Sequence, residues 1–584
     1  MYDPVAAKAT PRVRPADRLP AQSLDPLAWA LLAAMLLAAA AFFLYETRGT
    51  TFWSDEWSWF MERRDTDIAM FLEPHNEHLS LVPVAIYKLL FSIAGAEDYL
   101  PYRLPVIAAH LLVTTLVFVY ARRRVGPIPS LLAAALILFL GPAWQNVLWG
   151  FQVAWLISLA AGVGALLMLD GRNRTGDLVA AVLLGLSLAS SGLGLPIALG
   201  LAVDVLWGRR RLRDGWIVAA PLALYGLWWL AYQDSEFLRH AVVLTPTFVA
   251  GALAGALSSL VGLSGQQVPA DGASLEWGRP LAVAAVALLA LRLASLRTVS
   301  PRILALLTIL LAFWLSTGVR RSFVSAPDAS RYIYVGGLFI VLLTVELARG
   351  IRLSARATVL LACAVAAAVL SNVGIFRDAG RYIRLQAEET RAALGAVELA
   401  RETVPRDHLA LGVPGYPFVV VRAGPYLESA DALGSPADTA AEIAGAHERA
   451  RLAADGELFR IHRIALQPAA ADPPLGAAPA VEVAAGGSVR AADGCVAFKP
   501  DPFTPSGAVP ALEVEVPTAG LLVSARDGSA TVRLRRFAHT FPGDPQGTLA
   551  RSAPATLRIG EDLDSRPWHL RLEPQGRLRV CGLR

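Results

Sequence analysis

Residues 27–45 read LAWALLAAMLLAAAAFFLY, an unbroken apolar run without one charged side chain, and residues 52–59 just beyond it read FWSDEWSW. A run of this kind is long enough to cross a hydrocarbon core, for which roughly 20 apolar residues in a helix suffice. A segment bearing Pro and Arg precedes it and no small-residue cleavage site follows, so it reads as a retained helix rather than a signal peptide. Comparable runs recur near 103–121, 127–143, 151–169, 177–191, 193–207, 216–232, 280–296, 303–318, 332–349 and 356–373, making eleven with the first. Across 584 residues only 17% are charged and 55% are hydrophobic, whereas a soluble chain carries about 25% charged residues. These values exclude a soluble globular enzyme and a disordered chain. After residue 375 the long runs stop while charge, Pro and Gly rise, so a multi-pass α-helical membrane domain over 27–375 is followed by a soluble portion.

The net charge of +5 points to topology rather than to a nucleic-acid partner, because most Arg clusters occupy short loops between apolar runs. Two further apolar stretches, 79–95 and 246–264, decide the parity of everything after them. If neither crosses, the cytoplasmic loops are Arg122–Arg124, Arg172 with Arg174, Arg209–Arg211 with Arg213, Arg297 with Arg302, and Arg349, Arg352 and Arg356. Every dense basic loop then lies inside, as the positive-inside rule requires. The stretch 79–95, with Pro83 and Lys88, is expected to be a juxtamembrane or re-entrant helix, and 246–264 is treated likewise. Residues 1–26 are then cytoplasmic, the membrane is the plasma (inner) membrane, and everything after 375 is extracytoplasmic.

The first outer loop, about 46–102, places Asp55 and Glu56 immediately beyond the first span, flanked by Trp53, Trp57 and Trp59. Tryptophan favours the membrane interface and also stacks on sugar faces. Asp55 alternatively serves as a simple N-cap for a helix through Met61. Further on, His75 and His78 flank Glu77, a spacing that suits a metal, with Glu56 as a further ligand, or an anionic substrate. A polar loop with locally bonded histidines fits it equally, and the pattern is not that of a zinc HExxH site. A second outer patch, Trp144-Gln145-Asn146-Val147-Leu148-Trp149-Gly150-Phe151-Gln152, interleaves amides with aromatics, which suits sugar contact or interfacial anchoring. The short loop from Gly318 to Tyr332 is anomalous, because it places Arg320, Arg321 and Arg331 on the outer side. Either Asp328 pairs with one of them and the others reach lipid headgroups, or the guanidinium forks form an anion site.

The acidic pair after the first span, the Pro-and-Tyr helix from Leu79, and Tyr102-Arg103-Leu104-Pro105 opening the second span together resemble the GT-C superfamily of membrane glycosyltransferases. Its members include protein O-mannosyltransferases, lipid A aminoarabinose transferases and mycobacterial arabinosyltransferases. The resemblance covers about 27–375 as an architecture. Where better-known members show Lys-Pro-Pro before the juxtamembrane helix, this chain has His75-Asn76-Glu77-His78 and a single Pro83. The resemblance implies a sugar taken from a polyprenyl-phosphate donor on the non-cytoplasmic face and passed to a cell-envelope acceptor. Asp55 would be the general base. Glu56 would orient the acceptor or hold a divalent cation such as Mg or Mn. Arg320, Arg321 and Arg331 would bind the donor phosphate with a hydrogen bond from Tyr332, and Trp57, His75, Glu77, His78, Trp144, Gln145, Asn146, Trp149 and Gln152 would contact substrate. The alternative from another class is a non-catalytic protein of the same fold, such as a glycolipid transporter or an envelope-assembly factor. Transporters place ionisable groups near the midplane, whereas the candidates here cluster at one interface.

Beyond the membrane domain, 376–470 reads as an amphipathic connector helix followed by an α/β region, with strands at Leu409–Val413 and Phe418–Val421 and an Ala-rich helix near 438–453. Residues 480–584 carry short alternating segments, including Ala511–Val516 and Ala530–Leu534, that suggest a β-sandwich. Cys495 and Cys581 lie near the two ends of this region and are expected to form a disulfide in an oxidising compartment, while Cys363 lies in an apolar run.

Overall fold

The computed structural model describes residues 25–63, 67–171, 173–209, 212–232, 241–265, 268, 275–410, 412–413, 419–470, 473–503 and 507–584. The N-terminal segment up to residue 24, expected to be cytoplasmic, and Arg172, Arg210, Arg211, Leu411 and Phe418 lie outside the described residues. Helices run in chain order as α1 (Asp25–Glu46), α2 (Glu56–Glu62), α3 (Ala69–Leu72), α4 (Leu81–Ala94), α5 (Leu100–Val125), α6 (Pro127–Leu138), α7 (Trp144–Leu148), α8 (Val153–Leu169), α9 (Arg174–Ser190) and α10 (Gly194–Arg209). They continue as α11 (Trp216–Tyr232), α12 (Ala241–Leu260), α13 (Leu275–Ser295), α14 (Pro301–Arg321), α15 (Ser330–Leu347), α16 (Ala355–Leu399), α17 (Ala423–Leu433), α18 (Ala440–Gly445) and α19 (Glu448–Ile461). The chain forms two compact units, each discontinuous in sequence. The first holds residues up to Glu46, Leu72–Pro83 and Leu104–Gly380, and the second holds Thr47–Phe71, Val84–Arg103 and Arg381–Arg584.

In the first unit, ion pairs between helix ends give each helix its direction. Arg122 in the last turn of α5 pairs with Asp25 at the start of α1 at 2.6 Å. Arg124 pairs with Asp170, just past α8, at 3.1 Å and also with Glu346 near the end of α15. Arg302 in the first turn of α14 pairs with Asp170 at 3.1 Å and with Asp204 of α10 at 3.0 Å. Arg292, late in α13, donates to the Leu347 carbonyl at 3.1 Å. These helix ends therefore share one end of the unit. At the other end of α14, Arg320 pairs with Glu77.

Among the described residues nine helices are long and apolar enough to cross a membrane, ten if the bent pair α6–α7 is one span. The eleven runs of the sequence and this count differ at three helices. α9 and α10, of 17 and 16 residues, are not among the helices that pass, yet α10 leads from Gly192 beside His78 to Asp204 beside Arg302. α12 passes on length but does not join the two ends. Gly318 lies against Thr245 and Gly255 against Asp328, Asn372 donates to the Ser259 carbonyl at 3.0 Å, and Ser371 donates to the Gly262 carbonyl at 2.8 Å. From Thr245 to Gly255, α12 thus stays beside residues from the Arg320 end. Direction of travel, which length and composition do not encode, separates it from the crossing helices.

The run 127–143 is not one straight span. α6 and α7 meet at 48°, and the interrupted ladder leaves the Leu138 carbonyl to be satisfied from elsewhere. His110 of α5, fully buried, supplies the bond from Nε2 at 3.1 Å. A carbonyl can only accept, so Nε2 carries the proton, and Nδ1 accepts from the Tyr334 hydroxyl at 2.8 Å.

In the second unit, α2 and α4 contribute a knot of rings. Phe52 lies 4.8 Å from Tyr102, 5.0 Å from Tyr99 and 5.9 Å from Phe91. The expected connector is the continuation of α16, a single helix of 45 residues that includes the last membrane run. Beyond it the expected strand pair at Leu409–Val413 and Phe418–Val421 is, among the described residues, one antiparallel bridge between Leu409 and Arg422. The Ala-rich helix divides into α18 and α19, because Thr439 and Glu442 form a capping box and His447 caps the second start.

The last hundred residues hold two antiparallel sheets. Strands β1 (Gln467–Pro468), β2 (Val481–Ala485), β3 (Gly487–Ala492), β4 (Cys495–Pro500), β5 (Ala511–Val516), β6 (Leu521–Ala525), β7 (Ala530–Arg535), β8 (Gly547–Leu549), β9 (Ala555–Leu557), β10 (Trp568–Pro574) and β11 (Leu578–Gly582) follow in order. They form a six-stranded sheet β1-β9-β6-β11-β4-β3 and a five-stranded sheet β2-β5-β10-β7-β8. Strict alternation in β7 and β10 buries every second side chain, as a sandwich requires. A disulfide joins Cys495 and Cys581, which face each other on β4 and β11 within one sheet.

Candidate functional site

The segment from Glu73 to Ser80 makes a tight turn in the first unit. His75 and His78 exchange both backbone bonds at 3.0 Å, and the residues between them are left-handed, Asn76 at φ 48° and Glu77 at φ 68°. Two positive φ values define a type I′ turn, which Asn tolerates at the first position and Gly prefers at the second. Glutamate at the second costs roughly 1 kcal/mol. Its carboxylate pairs with Arg320, in the last turn of α14. The Trp228 indole donates to the Leu72 carbonyl at 2.7 Å and fixes the chain entering the turn.

The His78 imidazole lies against Gly192, where a Cβ would come within 2.5 Å of Nδ1; no larger residue fits without displacing the ring. Burial, then the nearby Arg321 and Arg320 guanidiniums, hold His78 down to about 4, so it is uncharged at neutral pH. Arg331 donates to Ser325 at 3.2 Å and stands 5.3 Å from the Tyr332 ring centroid. His75, Glu77, His78, Arg320 and Arg321 are thus brought together as one cluster. Tyr332 is not an open phosphate donor: it is buried, with its ring among Trp155, Phe248 and Phe313 at 6.0–6.3 Å. Gly192 and Trp228, which position the cluster, went unrecognised in the sequence. A lone glycine between two apolar runs and one tryptophan among many carry no distinguishing signal.

The amide patch is also placed differently from expectation. Trp144, Gln145, Asn146, Trp149 and Gln152 are all buried, because the break after α6 folds α7 inward. Asn146 donates to Gln152 at 3.3 Å, and the Gln145 backbone N–H donates to Ser330 at 3.1 Å. Packing accounts for the patch, and it presents no open face for a sugar.

Asp55 and Glu56 belong to the second unit and part company at the start of α2. Glu56 is fully buried; its carboxylate accepts from the Trp53 backbone N–H at 2.9 Å, from the Tyr99 hydroxyl at 2.7 Å and from the Tyr87 hydroxyl. Three donors in a closed site make it an anchor rather than an acceptor-orienting group or a metal ligand. Asp55 occupies the N-cap position without a side-chain capping bond and is half-buried, so the N-cap reading of its carboxylate does not hold. Trp57 is packed between Phe52 and Phe60, each at 5.7 Å, and is core rather than a sugar platform. Among the described residues no group of three or more His, Cys, Asp or Glu side chains could hold a metal ion. The metal role expected of Glu56, His75 and His78 therefore finds no ligand set.

No family model matches the chain, and no curated protein matches it. Solved structures do show a likeness. ArnT from Cupriavidus metallidurans bound to undecaprenyl phosphate is 14% identical, covers 65% of this chain and 82% of its own, and has a TM-score of 0.41. ArnT in the apo state, with the same coverage, is 13% identical at a TM-score of 0.45. A mutant of the mycobacterial arabinofuranosyltransferase AftD is 13% identical and covers 95% of this chain and 61% of its own at a TM-score of 0.35. At these identities and TM-scores the likeness assigns no residue a role.

Proposed function

We propose that the chain is a GT-C-type membrane glycosyltransferase that moves a sugar from a polyprenyl-phosphate donor to a cell-envelope glycan, lipid or protein on the non-cytoplasmic face. The observation that supports this most is the cluster at the end of α14, where adjacent Arg320 and Arg321 lie with an uncharged His78 at one end of a set of membrane-length helices. A phosphate on a lipid tail belongs at that depth, and basic sites at helix ends bind such headgroups. Guanidiniums neutralise the phosphate as it leaves, while His78 contributes hydrogen bonding without further repulsion. Arg331, held by Ser325, is a third cation on the same connection. Arg122–Arg124, Arg302 and Arg349 at the opposite end of the unit support its being cytoplasmic.

In the proposed reaction the acceptor hydroxyl oxygen attacks the anomeric carbon, and the bond from that carbon to the phosphate oxygen breaks. The electron pair leaves with the phosphate, and Asp55 takes the hydroxyl proton. Equilibrium binding of a polyprenyl monophosphate to the full chain tests the phosphate site. Arg321→Ala should weaken it roughly ten- to a hundredfold, the worth of one charge-assisted contact. Unchanged affinity in an Arg320→Ala/Arg321→Ala/Arg331→Ala variant would reduce the arginines to ordinary headgroup contacts.

A further inference from the structure

We infer that Glu77 is an internal competitor for the carrier phosphate: its carboxylate holds Arg320 in the ligand-free protein and yields the guanidinium when the lipid phosphate arrives. The inference rests on the phosphate reading above and adds the group that regulates that site.

The pair is built to be exchanged. The two side chains are 44% and 45% exposed, and ion pairs in such a setting contribute little to stability. Glu77 reaches Arg320 from a left-handed backbone position, φ 68°, whose cost for a non-glycine residue offsets much of that gain. A phosphate offers more charge and more acceptor oxygens than a carboxylate, and adjacent Arg320 and Arg321 can both serve it. Exchange therefore runs toward the phosphate. The turn does not depend on the pair, because His75 and His78 close it through backbone bonds and Trp228 secures the Leu72 carbonyl. Letting Glu77 go leaves the His78 imidazole against Gly192 and the site intact.

The same competition matters after transfer. A phosphate that has lost its sugar is a monoester with more negative charge than the diester donor, so bare arginines would retain it more strongly than the donor. A carboxylate tethered beside Arg320 opposes that retention and favours release.

The test is equilibrium binding of a polyprenyl monophosphate to the full chain in detergent. Glu77→Gln should tighten binding about two- to fivefold, corresponding to the worth of the lost pair, and the gain should vanish in an Arg320→Ala background. Glu77→Gly should do the same with an undiminished melting temperature, because Asn-Gly is the favoured type I′ pair; this variant keeps the test valid should Glu77→Gln fold poorly. Unchanged or weaker binding in both variants, with Arg320→Ala still lowering affinity, overturns the competitor and leaves the phosphate site standing. If Arg320→Ala and Arg321→Ala also leave affinity unchanged, the phosphate site falls with it.

Discussion

The Arg302 guanidinium grips the Asp204 carboxylate with two parallel bonds, Nε to Oδ1 at 3.3 Å and Nη2 to Oδ2 at 3.0 Å. This clamp joins the start of α14 to the later part of α10, and Asp170 closes on the same guanidinium at 3.1 Å. It fixes the direction of α14 and thereby sends Arg320 to the end that carries the His75–His78 turn.

Arg302→Ala should therefore destabilise the first unit strongly. It leaves two carboxylates in a largely buried site with one cation fewer, and breaking one side of a buried pair costs about 3 kcal/mol or more. Arg302→Lys keeps the charge but loses the fork and should fall between the two. Thermal unfolding in detergent reads this, and a melting temperature equal to wild type in Arg302→Ala would show the clamp to be incidental.

Direction also predicts sidedness. Single cysteines at Gly208, which lies against Pro301, and at Asp328, which lies against Gly255, should be labelled from opposite faces of the membrane, the first cytoplasmic and the second not. Ser235, a natural third probe, lies outside the described residues. Labelling of both positions from one face would overturn the count of crossings between them.

Much of the helical layout was legible in the sequence because apolar length alone makes a membrane helix. Residues 246–264 were not decided by apolar length: loop charge set them off the crossing path, and the contacts of Thr245 with Gly318 and of Gly255 with Asp328 keep them beside the Arg320 end. The strands at Ala511–Val516 and Ala530–Leu534 showed in their alternation, whereas β6, with adjacent Leu521, Leu522 and Val523, and β11, buried continuously from Val580 to Gly582, carry no clean apolar–polar alternation. The cysteine pairing was legible because the soluble portion holds just two. The Glu77–Arg320 pair spans 243 positions and leaves no local trace. Nor does a dipeptide reveal that Glu56 turns inward to Tyr87 and Tyr99, or an apolar run that it bends by 48° between α6 and α7.

The second unit has an acid-sensitive clasp. Burial raises Asp562, but hydrogen bonds from His462 at 3.0 Å and from Arg536 outweigh it and hold the carboxyl at about 2. A folded value below the unfolded one, about 3.9, means that the contribution is fully present above pH 4 and is lost as pH falls toward 2. Hydrogen exchange in α19 and in 562–568 of the full chain should accelerate over that window, and Asp562→Asn should remove the dependence while lowering stability at neutral pH by on the order of 2 kcal/mol. Equal acid sensitivity in the variant would assign the transition to other carboxylates.

Sugar transfer itself is tested most directly at Asp55. Trp53, Tyr87 and Tyr99 hold Glu56, the proposed reaction gives the proton transfer to Asp55, and general-base catalysis is worth about 10²- to 10⁴-fold. The decisive measurement is single-turnover transfer from a polyprenyl-phosphate sugar to a cell-envelope acceptor by purified protein, wild type against Asp55→Asn. The expected result is transfer by wild type and a loss of that order in the variant, with donor affinity and melting temperature unchanged. Full transfer by Asp55→Asn would contradict the base assignment, and no transfer by wild type with any such donor would leave a carrier-binding protein without the enzyme.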